Sequence, residues 1–262
     1  MSNKVALITG SAFGIGKRTA KELAAKGNDI IINYRSSETE AHILADQLAQ
    51  TYNVKTMALK ADISNYNDCI RLVNKGLEHF NRIDILINNA GPYIHDRKTL
   101  IDYSYEEWNY LINGNLNAAF YLCKEIIPQM RKNKWGRIVN IGFDKAETAP
   151  GWACRSAFAA AKVGLVSLTR TLALEEFPYG ITVNMVSPGD IRGEWKEQDI
   201  LSTKRHESTT ETFTKIETGE DISRVISFLT DDNSDLITGS VIPISGGQDV
   251  LSKSNHFYYG KF

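Results

Sequence analysis

The sequence predicts one doubly wound α/β domain, a seven-stranded parallel sheet with helices on both faces, and three observations predict it. Seven short runs rich in Val and Ile recur along the 262 residues. They are apolar throughout rather than alternating, as strands covered on both faces are. Stretches of helical length and amphipathic pattern separate them, which is the order of a parallel sheet. The first run feeds a glycine-rich turn that opens directly into a helix, the place where such folds hold a phosphate.

In chain order the runs are Val5–Ile8, Asp29–Tyr34, Val54–Leu59, Ile83–Asn88, Arg137–Ile141, Ile181–Val186 and Ser240–Ile244. The helical stretches are Ile15–Lys26, Glu38–Tyr52, Tyr66–Phe80, Tyr105–Lys132, Arg155–Glu176 and Glu220–Thr230. Gly27 suits the position after a helix end, and Asp62–Asn65 reads as a helix start. No linker, repeat or low-complexity tract divides the chain, so residues 1–262 are expected to form a single domain. Segments 92–104 and 190–219 interrupt the rhythm. Each follows the carboxyl end of a strand, where doubly wound folds bind ligands.

Composition narrows the function. With 42% hydrophobic residues the chain has enough apolar material for a large core. Thirty basic residues stand against 31 acidic ones, which leaves no electrostatic footprint for nucleic acid. Cys69, Cys123 and Cys154 lack metal-ligand or disulfide spacing, so all three are expected to pack as small hydrophobes, and no metal is expected. The strand pattern begins at Lys4 with no leader-like stretch ahead of it. No apolar run reads as a membrane span, so a cytoplasmic setting without membrane partners is expected.

The turn reads Thr9-Gly10-Ser11-Ala12-Phe13-Gly14-Ile15-Gly16. Glycine lets backbone N–H groups approach a pyrophosphate at the positive end of a helix. Taken alone, the turn could equally be structural. Further strings follow in order: Asp62 after the third run, Asn88-Asn89-Ala90-Gly91 closing the fourth, Asn115-Leu116 after Trp108, Pro188-Gly189 after the sixth, Ile237-Thr238-Gly239-Ser240, and Ser245-Gly246-Gly247. Spanning roughly residues 4–248 at the expected offsets, they make the sequence resemble the short-chain dehydrogenase/reductase family, whose fold is Rossmann-type. Its motifs are most similar to those of 3-oxoacyl-carrier-protein reductases.

That resemblance implies a nicotinamide dinucleotide. Gly10, Ser11, Phe13, Gly14, Ile15 and Gly16 would form its cradle, and Asp62 with Ile63 would meet the adenine. Asn89, Ala90, Gly91 and Lys162 would follow, with Pro188, Gly189 and Ile191 near the nicotinamide. A carboxylate at the end of the second strand would select NAD, and a cation there suits the 2′-phosphate of NADP(H). The chain reads Asn33-Tyr34-Arg35-Ser36-Ser37, with no carboxylate until Glu38. Arg35 and Ser36 therefore point to NADPH, although Arg35 also reads as a solvated charge. Many NADPH-binding relatives carry arginine where this chain has Phe13.

The catalytic pattern is incomplete. The family pairs a tyrosine with a lysine four residues later, so that the lysine holds the nicotinamide ribose and the tyrosine protonates the substrate oxygen. A serine after the fifth strand binds that oxygen. Here Lys162 and Asn115 match, but Phe158 stands at the tyrosine position and Phe143 at or next to the serine position. The stretch between them is about two residues longer than in close relatives. Where a threonine often follows Pro-Gly to hold the carboxamide, the chain has Ile191-Arg192-Gly193. Another acid would have to act, and Tyr93, His95, Asp144 and Lys145 are the candidates. Each also reads as a pocket wall or a surface residue. Water held by Lys162 and Asn115 is another source of the proton.

Two functions stay open. One is NADPH-dependent reduction of a small or acyl-carrier-bound carbonyl compound. The other is a catalytically degenerate relative that senses NADP(H) or serves in assembly. The resemblance also implies a homotetramer or dimer, formed through Tyr105–Lys132 and Arg155–Glu176. Leu165, Leu168, Leu172, Phe120 and Ile127 supply apolar faces, and Phe257, Tyr258 and Tyr259 lie in the tail.

Overall fold

The computed structural model describes residues 3–203, 216–247 and 251. The tail aromatics Phe257, Tyr258 and Tyr259 lie outside the described residues. Seven parallel strands form one sheet: β1 (Val5–Ile8), β2 (Asp29–Tyr34), β3 (Thr56–Lys60), β4 (Ile85–Asn88), β5 (Gly136–Ile141), β6 (Ile181–Pro188) and β7 (Val241–Ile244). Their spatial order is β3-β2-β1-β4-β5-β6-β7, so the winding reverses between β1 and β4.

Alternate residues of each strand serve opposite layers. Ala6, Ile8, Ile30 and Ile32 pack with Leu23 of α1 (Gly14–Ala25), Leu44 and Leu48 of α2 (Glu38–Tyr52). Val5, Leu7, Ile31 and Leu86 pack on the other face with Leu72 and Val73 of α3 (Tyr66–Phe80). Two-sided burial is why the strands read as unbroken apolar runs.

The stretch expected as one helix, Tyr105–Lys132, is three pieces. α4 (Tyr105–Ile112) passes into a π-helical turn, Asn113–Asn117, and then into α5 (Ala118–Asn133). The reason is local. Gly114 lies so close to Pro92 that a Cβ would meet its Cδ at 2.3 Å. Asn115 Nδ2 meanwhile donates to the carbonyls of Pro92 (2.8 Å) and Leu111 (3.0 Å). One wide turn accommodates both, as π turns at functional sites do.

β3 and β4 each start two residues later than the apolar runs suggested. Before β3, Asn53 turns left-handed (φ 53°) and Lys55 N–H donates to Asp29. Ahead of β4, Ile83 N–H donates to Gln129, and the Asp84 carboxylate takes Arg82 and the Val5 N–H. Side chains thus add to the backbone bonds that Lys55 and Asp84 already make with the neighbouring strands.

α6 (Ser156–Glu176) is the longest helix, and α7 (Ile200–Thr203) and α8 (Gly219–Leu229) follow. Contrary to the sequence reading, α6 with the turn after it, Ser156–Tyr179, is long and apolar enough to cross a membrane by length and composition. In the fold it lies on the sheet, with Ala157, Ala161, Leu165 and Ala173 buried. A buried polar chain fixes its height: Asn88 Nδ2 donates to Asn140 Oδ1 (2.8 Å), and Asn140 Nδ2 donates to Thr169 Oγ1 (2.8 Å). The cysteines divide. Cys69 and Cys123 are buried, and burial pushes both thiols up to about 12. Cys154 does not pack as a core hydrophobe. It sits half-buried in a left-handed turn (φ 63°).

Candidate active site

The reversal between β1 and β4 opens a crevice at the carboxyl ends of the strands, and side chains of those strand ends tie its floor together. Thr9 Oγ1 accepts from the N–H groups of Asn89 (3.0 Å) and Ala90 (2.9 Å). Asn89 Nδ2 donates to the Thr9 carbonyl at 2.8 Å. Asn33 Oδ1 accepts from Gly10 N–H (3.1 Å), and its Nδ2 donates to the Ala61 carbonyl (3.1 Å). The resulting floor has no room for side chains. A Cβ on Gly16 would meet Asn89 Nδ2 at 2.6 Å and the Gly10 carbonyl at 2.7 Å.

The expected cradle residues divide by role. Ser11 is fully buried; its hydroxyl donates to the Ile8 carbonyl (2.8 Å) and accepts from Asn33 N–H (3.2 Å). That hydroxyl braces the strands instead of facing the crevice. Phe13 is exposed and precedes α1 without capping it through its side chain. The capping comes from far along the chain. Glu197 Oε1 accepts from Gly14 N–H at 2.9 Å, and Oε2 pairs with Lys17 at 2.7 Å. Burial works to raise the Glu197 carboxyl, but Lys17 and the Gly14 N–H hold it below the usual range. The helix start therefore suits an anion, and a carboxylate of the chain itself already rests there.

Beside the cradle is a cleft of about 180 Å³ bounded by Gly10, Arg35, Asp62, Ile63, Ser64, Ala90, Gly91 and Tyr110. Arg35 lies exposed at its edge, hydrogen-bonded to the Tyr110 hydroxyl and 5.9 Å from that ring. Asp62 Oδ1 accepts from the N–H (2.9 Å) and hydroxyl (2.7 Å) of Ser64. Ser36 is exposed beyond Arg35.

The far side of the crevice combines a buried cation with an aromatic wall. Lys162 is buried and its Nζ donates to the Ile141 carbonyl at 2.6 Å. Burial alone pushes the ammonium down to about 8. Over Gly91, a single Cβ position lies 2.2 Å from Asn115 Oδ1 and 3.6 Å from Lys162 Nζ. Both polar atoms thus face the same small space, and Asn115 Oδ1 has no partner there. Phe158 is one turn from Lys162, with Nζ 5.8 Å from its ring. Phe143 and Trp152 close the wall, 6.1 Å each from the Phe158 ring.

Among the candidate acids, Tyr93 stands perpendicular to Phe158 at 5.1 Å, while His95 is exposed and 5.2 Å from Tyr93. Asp144 turns inward, and its Oδ2 has no partner among the described residues. Lys145 is half-buried in a left-handed turn. Gly189 N–H donates to the Ile244 carbonyl (2.8 Å), and Pro188 ends β6. Ile191, expected near the carboxamide, has its side chain buried in the core layer.

Glu197, Lys17, Tyr110 and Arg155 join the crevice unannounced by any motif. Asn33 alone left a trace in the sequence, as a polar residue ending the apolar run Ile30-Ile31-Ile32.

The residues present fit a dinucleotide. The glycines leave room where a Cβ would collide, the helix start already holds an anion, and a buried ammonium faces the crevice. Residues 4–202 match the family described as short chain dehydrogenase. A Bacillus subtilis (strain 168) protein named as an oxidoreductase, YtkK, is 46% identical over 250 residues, 95% of this chain and 98% of that one. The 3-oxoacyl-[acyl-carrier-protein] reductase FabG of Buchnera aphidicola subsp. Baizongia pistaciae (strain Bp) is 37% identical, covering 94% of this chain and 97% of its own length. Among solved structures, one from Bacillus thuringiensis named as a 3-oxoacyl-reductase superposes with a TM-score of 0.88. It is 46% identical, over 95% of this chain and all of that one. The chain belongs to the short chain dehydrogenase family and is an NAD(P)-dependent oxidoreductase.

Proposed function

We propose that the chain is an NADPH-dependent reductase that delivers hydride to a carbonyl group, in the manner of 3-oxoacyl-carrier-protein reductases. The observation that carries this reading is the buried Lys162 ammonium, which shares with Asn115 the space over Gly91. A charge held in the interior costs stability, and a buried ionisable group facing a crevice is a mark of a working site. The nicotinamide supplies the hydride when bound. Lys162 would orient its ribose, Gly10, Gly14, Ile15 and Gly16 would hold the phosphates, and Asp62 with Ile63 would border the adenine. Asn89, Ala90 and Gly91 would line the middle, with Pro188 and Gly189 beyond. The wall of Phe143, Trp152 and Phe158 suits a carbonyl with apolar flanks. Small or acyl-carrier-bound 3-oxoacyl compounds have that character.

NADPH is the form proposed, because Arg35 follows the end of β2 at the cleft where a 2′-phosphate would sit, and the strand end itself carries no carboxylate. Titration of intrinsic fluorescence should give NADPH an advantage over NADH of about tenfold or more, and Arg35→Asp should remove it. Equal affinities in the native protein would overturn the claim. Phe158 and Phe143 support the second reading, a relative that binds NADP(H) without chemistry. A native protein that binds NADPH tightly yet reduces no ketone would favour it.

The same reading includes self-association through α5 and α6, as a tetramer or a dimer. Their outward sides carry Phe120 and Leu174, 48% and 80% exposed, while Leu165 and Ile127 face the core. Light scattering at micromolar concentration should show more than a monomer.

A further inference from the structure

Delivery of hydride to a carbonyl carbon builds negative charge on the oxygen, and a proton has to reach it. Phe158 has none to give. Of the ring neighbours of Phe158, which are Tyr93, Phe143 and Trp152, only Tyr93 carries a hydroxyl. Tyr93 comes two residues after Gly91, the residue overlooked by Lys162 and Asn115. Its approach is fixed at the preceding residue, where Asn115 Nδ2 donates to the Pro92 carbonyl at 2.8 Å.

The hydroxyl is held in a particular sense. It accepts a hydrogen bond from Arg155 Nε at 2.6 Å, and the guanidinium lies 4.9 Å from the ring centroid. No described residue accepts from it, so its own proton is uncommitted. Arg155 is fastened in turn, donating to the carbonyls of Asp96 (2.7 Å), His95 (2.9 Å) and Cys154 (2.9 Å). Arg155 stands immediately before α6, and Phe158 and Lys162 follow it at three- and four-residue spacing. One cation flanks the wall at each end, and the hydroxyl stands at the Arg155 end.

We propose that Tyr93 is the proton donor of this protein and that Arg155 is its positioning residue. The proposal rests on the reductase reading above. In the step, the Tyr93 O–H bond breaks and its proton joins the carbonyl oxygen as hydride from the reduced nicotinamide forms the new C–H bond. The carbonyl gains two electrons and the dinucleotide loses two. The phenolate left behind keeps the hydrogen bond from Arg155 Nε. At 37% exposure, Tyr93 recovers a proton from water.

The test compares native protein, Tyr93→Phe, Arg155→Gln and Arg155→Lys in NADPH-dependent reduction of acetoacetyl-CoA and 4-phenyl-2-butanone. A binding measurement stands beside it: 3-phenylpropionamide, an unreactive analogue of the second ketone, titrated into the NADPH complex by fluorescence. Tyr93→Phe should lower kcat about 10²-fold while NADPH affinity stays within about twofold. Loss of the hydroxyl should also weaken the amide about tenfold. Arg155→Gln should lower kcat about tenfold, and Arg155→Lys should restore part of it by keeping a cation. An active native protein whose turnover and amide affinity are indifferent to Tyr93→Phe overturns this proposal alone. A native protein inert towards both ketones overturns the reductase reading, and this proposal with it.

Discussion

The two walls of the crevice are built on opposite principles. On the cradle side, Thr9, Asn33 and Asn89 at the ends of β1, β2 and β4 hold backbone groups of the neighbouring strand ends, and the surface presented is backbone: Gly10, Gly14, Gly16, Ala90 and Gly91. On the far side aromatic rings face inward, with Lys162 buried behind them. The first wall can be read from spacing alone, because only glycine tolerates its close approaches. The second is made of side chains that touch across a fifteen-residue interval between Phe143 and Phe158. The comparison teaches that the two walls can be probed separately: one presents backbone braced by polar side chains, the other a layer of aromatic rings.

The strongest way to break that comparison is to fill the cradle. Gly16→Val places atoms where even a Cβ would lie 2.6 Å from Asn89 Nδ2. Dinucleotide affinity should fall by at least about a hundredfold, measured by NADPH fluorescence, with the far wall untouched. Survival of tight binding would mean the cradle is not where the phosphates rest.

A second experiment sharpens the contrast by returning the hydroxyl to α6. Phe158→Tyr with Phe143→Ser in the native chain should change ketone reduction by less than about tenfold, since Tyr93 already serves. In a Tyr93→Phe background the same pair should raise the rate about 10²-fold, with Lys162 one turn away to favour the phenolate. Similar gains in both backgrounds would show that Tyr93 does not donate.

The third concerns the price of the buried cation. Lys162 falls from an ordinary value of 10.5 to about 8 in the folded chain. Below about pH 8 the fold must carry the charge, so the full penalty is present there. As pH rises from about 8 to 10.5 the unfolded chain holds more protons, and stability climbs. Lys162→Met should therefore stabilise the free protein at pH 7 by about 2 kcal/mol, after allowing for the lost bond to Ile141. The advantage should fade by about pH 10.5, as denaturant titrations at both pH values would reveal. No gain at pH 7 would mean that the ammonium is better solvated than its burial implies.

Strand count, parallel sense and the tight glycine turn were legible in the chain because they depend on short-range rules: apolar runs, helical periods and glycines at fixed offsets. The wide turn at Asn113–Asn117 was not, since it depends on Pro92 pressing against Gly114 from over twenty residues away. The place of the Ser11 hydroxyl was not legible either: it is bonded to Asn33 and Ile8 inside the sheet, a pairing that spacing does not reveal. Arg155 read only as the first residue of a helix. Its partnership with Tyr93 needs a loop to fold back across 62 positions of sequence. Long-range pairings between a loop and a helix start leave no periodic trace, which is why the polar edge of the far wall emerged only in three dimensions.

The carboxylate at the start of α1 has one more consequence. Glu197 occupies the Gly14 N–H that an incoming phosphate would seek, and neutralises Lys17 as well. Two anions cannot share one N–H, so any ligand seated at that donor has to dislodge the 193–199 turn. By reciprocity, whatever tightens that turn weakens the anion, and salt would screen the Lys17 pair while leaving the backbone contact in place. The chain is thus its own weak competitor, and the shape of its far loop is written into the affinity of its near one.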